Sequence, residues 1–231
     1  MKRETLVKIF KFLFKHLTRL SYEGMENIPA EGGVIIATNH MSRLDFPALF
    51  MVSSREDITA LVADKYQSYV LFNFIIRTAG GIYLDRSKAD FSAFSTGVDF
   101  LRKGGALGIA PEGTRSKVGA LLEAKPGTVL LATRAKVPVV PVAVIGTEVS
   151  VKQLLRLRRP KIHVRVGPAF TYPPLDRDQR HDLLKKYTDE VMCRISAMMP
   201  ESYHGFYTGH PRIKEIQAEL AAAPPSETVH L

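Results

Sequence analysis

His40 and Asp45, five positions apart in Ala37-Thr38-Asn39-His40-Met41-Ser42-Arg43-Leu44-Asp45-Phe46-Pro47, are the pair in this sequence best suited to moving a proton. A histidine titrates near neutral pH, and one ring nitrogen takes a proton while a carboxylate holds the other. On a regular helix, five residues at about 100° each would separate the two side chains. A turn between a strand and a helix folds them together. The preceding run, Gly33-Val34-Ile35-Ile36-Ala37-Thr38, is short, uncharged and β-branched, and reads as a buried strand. Asp45 before Phe46 and Pro47 suits an N-cap followed by a helix whose first turn tolerates proline. In an open α/β sheet, ligands bind beyond the carboxyl ends of the strands, where His40 falls. The same residues allow a plainer reading in which Asp45 only caps its helix and His40 is a turn residue bonded to backbone.

Two further strand ends carry polar clusters, Asp85-Arg86 and Pro111-Glu112-Gly113-Thr114-Arg115-Ser116. If their strands are neighbours, the three loops meet at one rim. Arg86 and Arg115 then offer guanidinium forks to a phosphate, and Lys125 adds a third positive charge. Gly113 and Thr114 supply backbone N–H groups and a hydroxyl at a turn, an anion seat. Several other chemistries find no support. Gly108-x-x-x-x-Gly113 imitates a P-loop, but Thr114-Arg115 replaces the Lys-Ser/Thr that triphosphate binding requires. No His-Glu-x-x-His or Cys-x-x-Cys is present for a metal, and no Gly-x-Ser-x-Gly elbow for an acyl-serine. Cys193 lies within an amphipathic helix and reads as a core residue. The basic run Arg156-Leu157-Arg158-Arg159-Pro160-Lys161, with His163 and Arg165, lacks the interleaved aromatics of base stacking and reads as a solvated face.

The elements that must position these loops alternate along the chain. Strands are expected near 33–38, 58–63, 80–84, 106–110, 137–145 and 162–166, with helices near 46–53, 65–77, 88–103, 125–134, 148–157 and 178–199. Asp64 and Ser87 are expected to cap two of these helices. Pro138 and Pro141 suggest that the strand carrying them starts late or forms an irregular edge. The pattern predicts an α/β fold: a single domain with a mostly parallel or mixed sheet flanked by helices.

The chain has 231 residues, 45% of them hydrophobic and 24% charged, which suits one domain with a large core. A single cysteine excludes internal disulfides and fits a reducing compartment. No apolar stretch is long enough to span a membrane, and the N-terminus is too charged for a secretory signal. The net charge of +9 calls for an anionic partner: nucleic acid, an anionic membrane surface or a phosphorylated substrate. Residues 4–20 read as a helix with Leu6, Val7, Ile9, Phe10, Leu13, Phe14, Leu17 and Leu20 on one face and Glu4, Lys8, Lys11, Lys15 and Arg19 on the other. Such a helix lies in a membrane interface or docks its apolar face on the core. The expected layout is an N-terminal amphipathic segment over 1–22, a main domain over 23–200, and an extension over 201–231 whose last ten or so residues lack structure.

Four blocks, taken in order, resemble the glycerolipid acyltransferases, most of all the 1-acyl-glycerol-3-phosphate acyltransferase group. They are Asn39-His40-x-x-x-x-Asp45, Gly81-Ile82-Tyr83-Leu84-Asp85-Arg86, Pro111-Glu112-Gly113-Thr114-Arg115-Ser116 and Val137-Pro138-Val139-Val140-Pro141-Val142. Lys125-Pro126-Gly127 resembles the family's Lys-x-Gly segment. Ala110 and Tyr83 stand where the family favours phenylalanine, which bears on substrate preference rather than on chemistry. The resemblance implies a glycerol-3-phosphate acyltransferase-like fold and transfer of an acyl group from acyl-CoA or acyl-carrier protein to the hydroxyl of a lysophospholipid, foremost lysophosphatidic acid. It implies His40 as base, Asp45 as its orienter, and Arg86, Glu112, Gly113, Thr114, Arg115 and Lys125 as binding residues. It further implies no metal, no cofactor beyond the acyl donor, no nucleic-acid partner, and peripheral attachment to the cytoplasmic face of a membrane. Glycerol-3-phosphate, another lysophospholipid or a lyso-aminolipid are the alternative acceptors. A non-catalytic lipid- or nucleic-acid-binding module is the alternative of a different class.

Overall fold

The computed structural model describes residues 1–53, 55–85, 90–176 and 178–231. Its centre is β2 of an eight-stranded sheet. In chain order the elements are α1 (Arg3–Leu17), β1 (Arg19–Glu23), β2 (Val34–Thr38), α2 (Asp45–Val52), β3 (Thr59–Ala63), α3 (Val70–Thr78), β4 (Ile82–Leu84), α4 (Phe91–Arg102) and β5 (Ala106–Ile109). Then follow α5 (Gly127–Ala135), β6 (Val139–Ile145), α6 (Ser150–Leu154), β7 (Lys161–Val166), α7 (Arg180–Ala197), α8 (Pro211–Ala222) and β8 (Val229–His230). The strand order is β4-β3-β5-β2-β6-β7-β1-β8. The five strands from β4 to β6 run parallel; β7 is antiparallel to β6, β1 parallel to β7, and β8 antiparallel to β1. The expected mixed α/β sheet is therefore present.

Side-chain alternation divides β2 between two cores. Ile35 and Ala37 join Leu107, Ile109, Val139 and Ala143 under α4, α5, α7 and α8. Val34 and Ile36 join Ala106, Val140, Val142 and Val144 under α1 and α2. A strand covered on both faces reads as an unbroken apolar run, as 34–37 does. Burial of this kind contributes roughly 1.5–3 kcal/mol per large aliphatic side chain.

The ends of the chain differ from expectation. The N-terminal helix stops at Leu17, and residues 19–23 form a strand beside β7, so the expected boundary at residue 22 falls inside the sheet. Leu20 is buried as a strand residue, not as part of the helix. At its N-terminal end α1 is held by Arg3, which donates to Ala79 O at 2.7 Å and to Ile58 O. At its C-terminal end Arg159 donates to Lys15 O at 2.6 Å and to Thr18 O at 2.5 Å, meeting carbonyls the helix leaves unpaired. The expected docking of the apolar face on the core holds in part. Leu6 and Phe14 are buried against the domain, while Ile9, Phe12, Leu13 and Leu17 remain exposed. Of the last ten or so residues, expected to lack structure, Val229–His230 form β8, with Val229 paired to Tyr22, and the extension before them carries α8.

The prolines mark no edge. β6 lies between β2 and β7, and Pro141 sits where the β7 ladder, which ends at Val142↔Val166, gives way to a bridge between Val139 and Phe170. Its missing N–H coincides with that break. Asp90, rather than Ser87, caps α4 by accepting from Ala93 N at 2.9 Å; Ser87 itself lies outside the described residues.

Candidate active site

The parallel strands bring the ends of β2, β4, β5 and β6 to one rim, as the motif spacing requires. The β2 turn is short, and its backbone N–H groups need acceptors that no helix or strand supplies. Asp45 supplies them. It is the first residue of α2, but its carboxylate does not cap that helix as expected. It turns back instead, because the turn presents two closely spaced donors. Oδ2 accepts from Met41 N and Ser42 N, each at 2.7 Å, and lies 3.0 Å from His40 Nδ1. Oδ1 accepts from the Thr147 hydroxyl, carried at the end of β6. The residue is fully buried.

Two backbone N–H groups, the Thr147 hydroxyl and the His40 ring converge on this carboxylate group. An acceptor at Nδ1 places the imidazole proton there and leaves the lone pair on Nε2. Among the described residues Nε2 has no partner, and the His40 side chain is 15% exposed. The neighbouring strand shapes the other side of the ring. Phe46 stands edge-on to His40 at 5.8 Å between centroids, and a Cβ at Gly108 of β5 would approach its ring to 3.0 Å. Asn39 closes the gap beyond the last β2–β6 pair with two 2.8 Å bonds, one from its amide to Val144 O and one from Val144 N to its Oδ1.

Glu112 occupies a different position from the one expected of a substrate-binding group, and that assignment is corrected. Its carboxyl is 1% exposed, with Oε1 accepting from His40 N at 2.7 Å and Oε2 from Leu122 N at 2.8 Å. Both oxygens are committed to backbone, so the residue supports His40 from behind. Burial pushes its pKa up to about 7, against the opposing pull of the two N–H bonds. The link between the two loops is reinforced by Ser116 N, which donates to His40 O at 2.8 Å.

The remaining members of this loop face outward. Gly113 takes φ 67, and a Cβ there would come to 3.1 Å of Lys125 Cδ, so the lysine stem lies across the turn. Thr114 and Lys125 are exposed. Arg115 is half-buried and, among the described residues, has no hydrogen bond or ion pair of its own. Arg86 lies outside the described residues.

Sequence reasoning missed two supports. Thr147 follows the apolar run of β6, and the strand-end rule that singled out His40 also applies to it. The C-terminal segment braces the β5 loop: Leu121 N donates to Tyr203 O at 2.8 Å, Phe206 N to Leu121 O at 3.0 Å, and Ala124 N to the Tyr207 hydroxyl at 3.0 Å. The Tyr203 hydroxyl also donates to Glu148 Oε1 at 2.7 Å, tying that segment to the β6 loop. Two tyrosines so far along the chain leave no local signal.

A family model described as Acyltransferase matches residues 19–145, more than half the chain and the stretch that holds His40, Asp45 and the loop after β5. The chain belongs to this family. Among curated proteins, it is 23% identical over 178 residues to the 1-acyl-sn-glycerol-3-phosphate acyltransferase of Borreliella burgdorferi, covering 76% of this chain and 71% of that one. It is 27% identical over 172 residues to the protein of the same name from Cocos nucifera, covering 73% of this chain but only 54% of the relative. Among solved structures, the 1-acyl-sn-glycerophosphate acyltransferase of Thermotoga maritima superposes with a TM-score of 0.64 at 23% identity, over 96% of this chain and 80% of that one. Fold and family are thus those expected from the four blocks.

Proposed function

We propose that this acyltransferase moves a fatty acyl group from a thioester, acyl-CoA or acyl-carrier protein, to the sn-2 hydroxyl of lysophosphatidic acid, giving phosphatidic acid. The observation that carries the reading is the His40 ring, with Nδ1 3.0 Å from the buried Asp45 carboxylate and, among the described residues, no partner at Nε2. Nε2 takes the proton of the acceptor hydroxyl as its oxygen attacks the thioester carbonyl. Asp45 stabilises the imidazolium that forms. The tetrahedral intermediate collapses, the carbon–sulfur bond breaks, and the thiolate leaves as a thiol after taking the proton back from His40. No covalent enzyme intermediate, metal or further cofactor enters these steps. General-base help of about 10²–10⁴-fold corresponds to roughly 3–5 kcal/mol of barrier.

The acceptor phosphate is assigned to Arg115 and Lys125, with Arg86 as a further fork and Gly113 and Thr114 supplying the turn. Arg115 supports this because, among the described residues, its guanidinium has no partner. The exposed side of α1, with Ile9, Phe12, Leu13 and Leu17, is assigned to an anionic membrane surface on the cytoplasmic face. Among the described residues no helix is long and apolar enough to cross a membrane.

The test is an acceptor panel with labelled acyl-CoA, comparing lysophosphatidic acid with glycerol-3-phosphate, other lysophospholipids, a lyso-aminolipid and a phosphate-free monoacylglycerol. Lysophosphatidic acid is expected to give the highest kcat/KM. Arg115→Ala is expected to raise KM for it by about 10–100-fold, the size of a lost charge-assisted contact, and to spare the phosphate-free acceptor. Equal losses on both would remove Arg115 from the phosphate site, and a higher kcat/KM for another acceptor would replace the substrate named here.

A further inference from the structure

The groups that start β7 and β1 lie on the same edge of the sheet as His40. β7 runs antiparallel to β6 and pairs His163 with Ile145, so Lys161 lies beyond the carboxyl end of β6; β1 runs parallel to β7, placing Arg19 beside Lys161. Between α6 and β7 runs the segment 155–160, which the basic sequence alone leaves as a solvated face.

Three observations set it apart. Arg19, Lys152, Arg156, Arg158, Arg159 and Lys161 are all exposed, and among the described residues none forms an ion pair. Arg19, Arg158, Arg159 and Lys161 line a groove of about 620 Å³ together with Gln153 and Leu157. Between these cations two leucines stand out in solvent, Leu155 at 82% and Leu157 at 96% exposure. Leu157 takes φ 56, a backbone conformation that L side chains rarely adopt. The segment is also fastened to α1. Arg159 binds the last carbonyls of that helix, and Arg19 N donates to Pro160 O at 2.8 Å, so the exposed Leu13 and Leu17 belong to the same stretch of surface.

We infer that segment 155–161 is a second membrane-docking element, in which Leu155 and Leu157 enter the acyl boundary of an anionic phospholipid bilayer while Arg19, Arg156, Arg158 and Lys161 meet its phosphates. Charge complementarity selects this occupant: basic residues beside an anionic leaflet are attracted within a Debye length, and apolar tips between them gain only where there is hydrocarbon to enter. A nucleic acid would satisfy the cations but leave both leucines in water, and the segment has no aromatic ring for stacking. The element goes beyond α1 and stands independently of which acceptor the enzyme prefers. Its consequence is orientation. With α1 and the segment both seated, the rim carrying His40 faces the bilayer, and a lipid acceptor reaches Nε2 without leaving the interface.

The sequence contains no tryptophan, so Leu157→Trp in the full chain is a single reporter. Its emission is expected to shift to the blue, and to be quenched by brominated acyl chains, on vesicles of phosphatidylcholine with phosphatidylglycerol; salt should reverse both. Arg156→Glu with Arg158→Glu should weaken partition onto those vesicles by about tenfold or more, from the loss and reversal of two near-surface charges. Turnover of a dispersed short-chain acceptor should not change, which separates loss of docking from loss of the active site. Leu157→Gly guards against a folding artefact, because it relieves the positive φ. Its Tm should hold or rise while partition falls about threefold to tenfold. The inference is overturned by unshifted emission of Leu157→Trp on vesicles that bind the protein, by undiminished partition of the charge-reversed pair, or by preference of the segment for an oligonucleotide over anionic vesicles.

Discussion

Two buried acids on neighbouring strand ends solve opposite problems. Asp45, after β2, gathers two backbone N–H groups, the Thr147 hydroxyl and the imidazole of His40 at the chemistry. Glu112, after β5, gathers two backbone donors and no side chain, and burial lifts its pKa to about 7. Equal burial therefore does not mean equal function: the number and kind of donors decide whether an acid tunes a reacting group or fastens a loop. The first acid belongs to the reaction and the second to the scaffold that places it.

The largest effect expected from this contrast is on turnover. Asp45→Asn turns an NH2 toward donors it cannot serve and removes the charge that stabilises an imidazolium. It should lower kcat by about 10²–10⁴-fold, the range of general-base help. Glu112→Gln, by comparison, should keep kcat within about tenfold, since it touches His40 only through backbone. Equal losses in two folded variants would erase the distinction between the acids. Stability is the next largest. Glu112→Ala strands two buried N–H groups and should reduce unfolding free energy by roughly 2–5 kcal/mol in a urea titration; an unchanged midpoint would show that the two bonds do not hold the loop.

A smaller effect follows from titration. The Glu112 carboxyl has a folded pKa near 7 against an ordinary 4.5, so the folded protein binds the extra proton between these values. Its contribution is full below about pH 4.5 and lost as pH rises through about 7, amounting to at most about 3 kcal/mol. The wild-type protein should therefore show a component of falling stability across that window that Glu112→Gln lacks. Parallel pH profiles for the two proteins would contradict the assignment.

Much of this arrangement was legible in the sequence because the period-two and apolar-run rules act locally. The run 34–38 reads as a buried strand, and glycine, proline and polar residues after the strands mark the rim. The spacing identifies Asp45 as a partner of His40 but suggests a cap on α2 rather than the turn back to Met41 and Ser42, since a carboxylate there can accept backbone N–H bonds on either side. A charged residue in a loop suggests a ligand group, and nothing local to Glu112 in the sequence shows that the backbone N–H groups of His40 and Leu122 enclose it. β1 was hidden because Leu20 continues the apolar stripe of α1, and only pairing with a strand some 140 residues later separates them. Thr147, Tyr203 and Tyr207 contribute through contacts that no local period records.

The central claim is that Nε2 of His40, left basic by Asp45 at Nδ1, takes the acceptor proton. The direct measurement is steady-state turnover of His40→Ala with lysophosphatidic acid and acyl-CoA, paired with its circular dichroism spectrum and Tm. A fall of at least a hundredfold in kcat at an unchanged fold is the predicted result. Near wild-type turnover by the folded variant would contradict it.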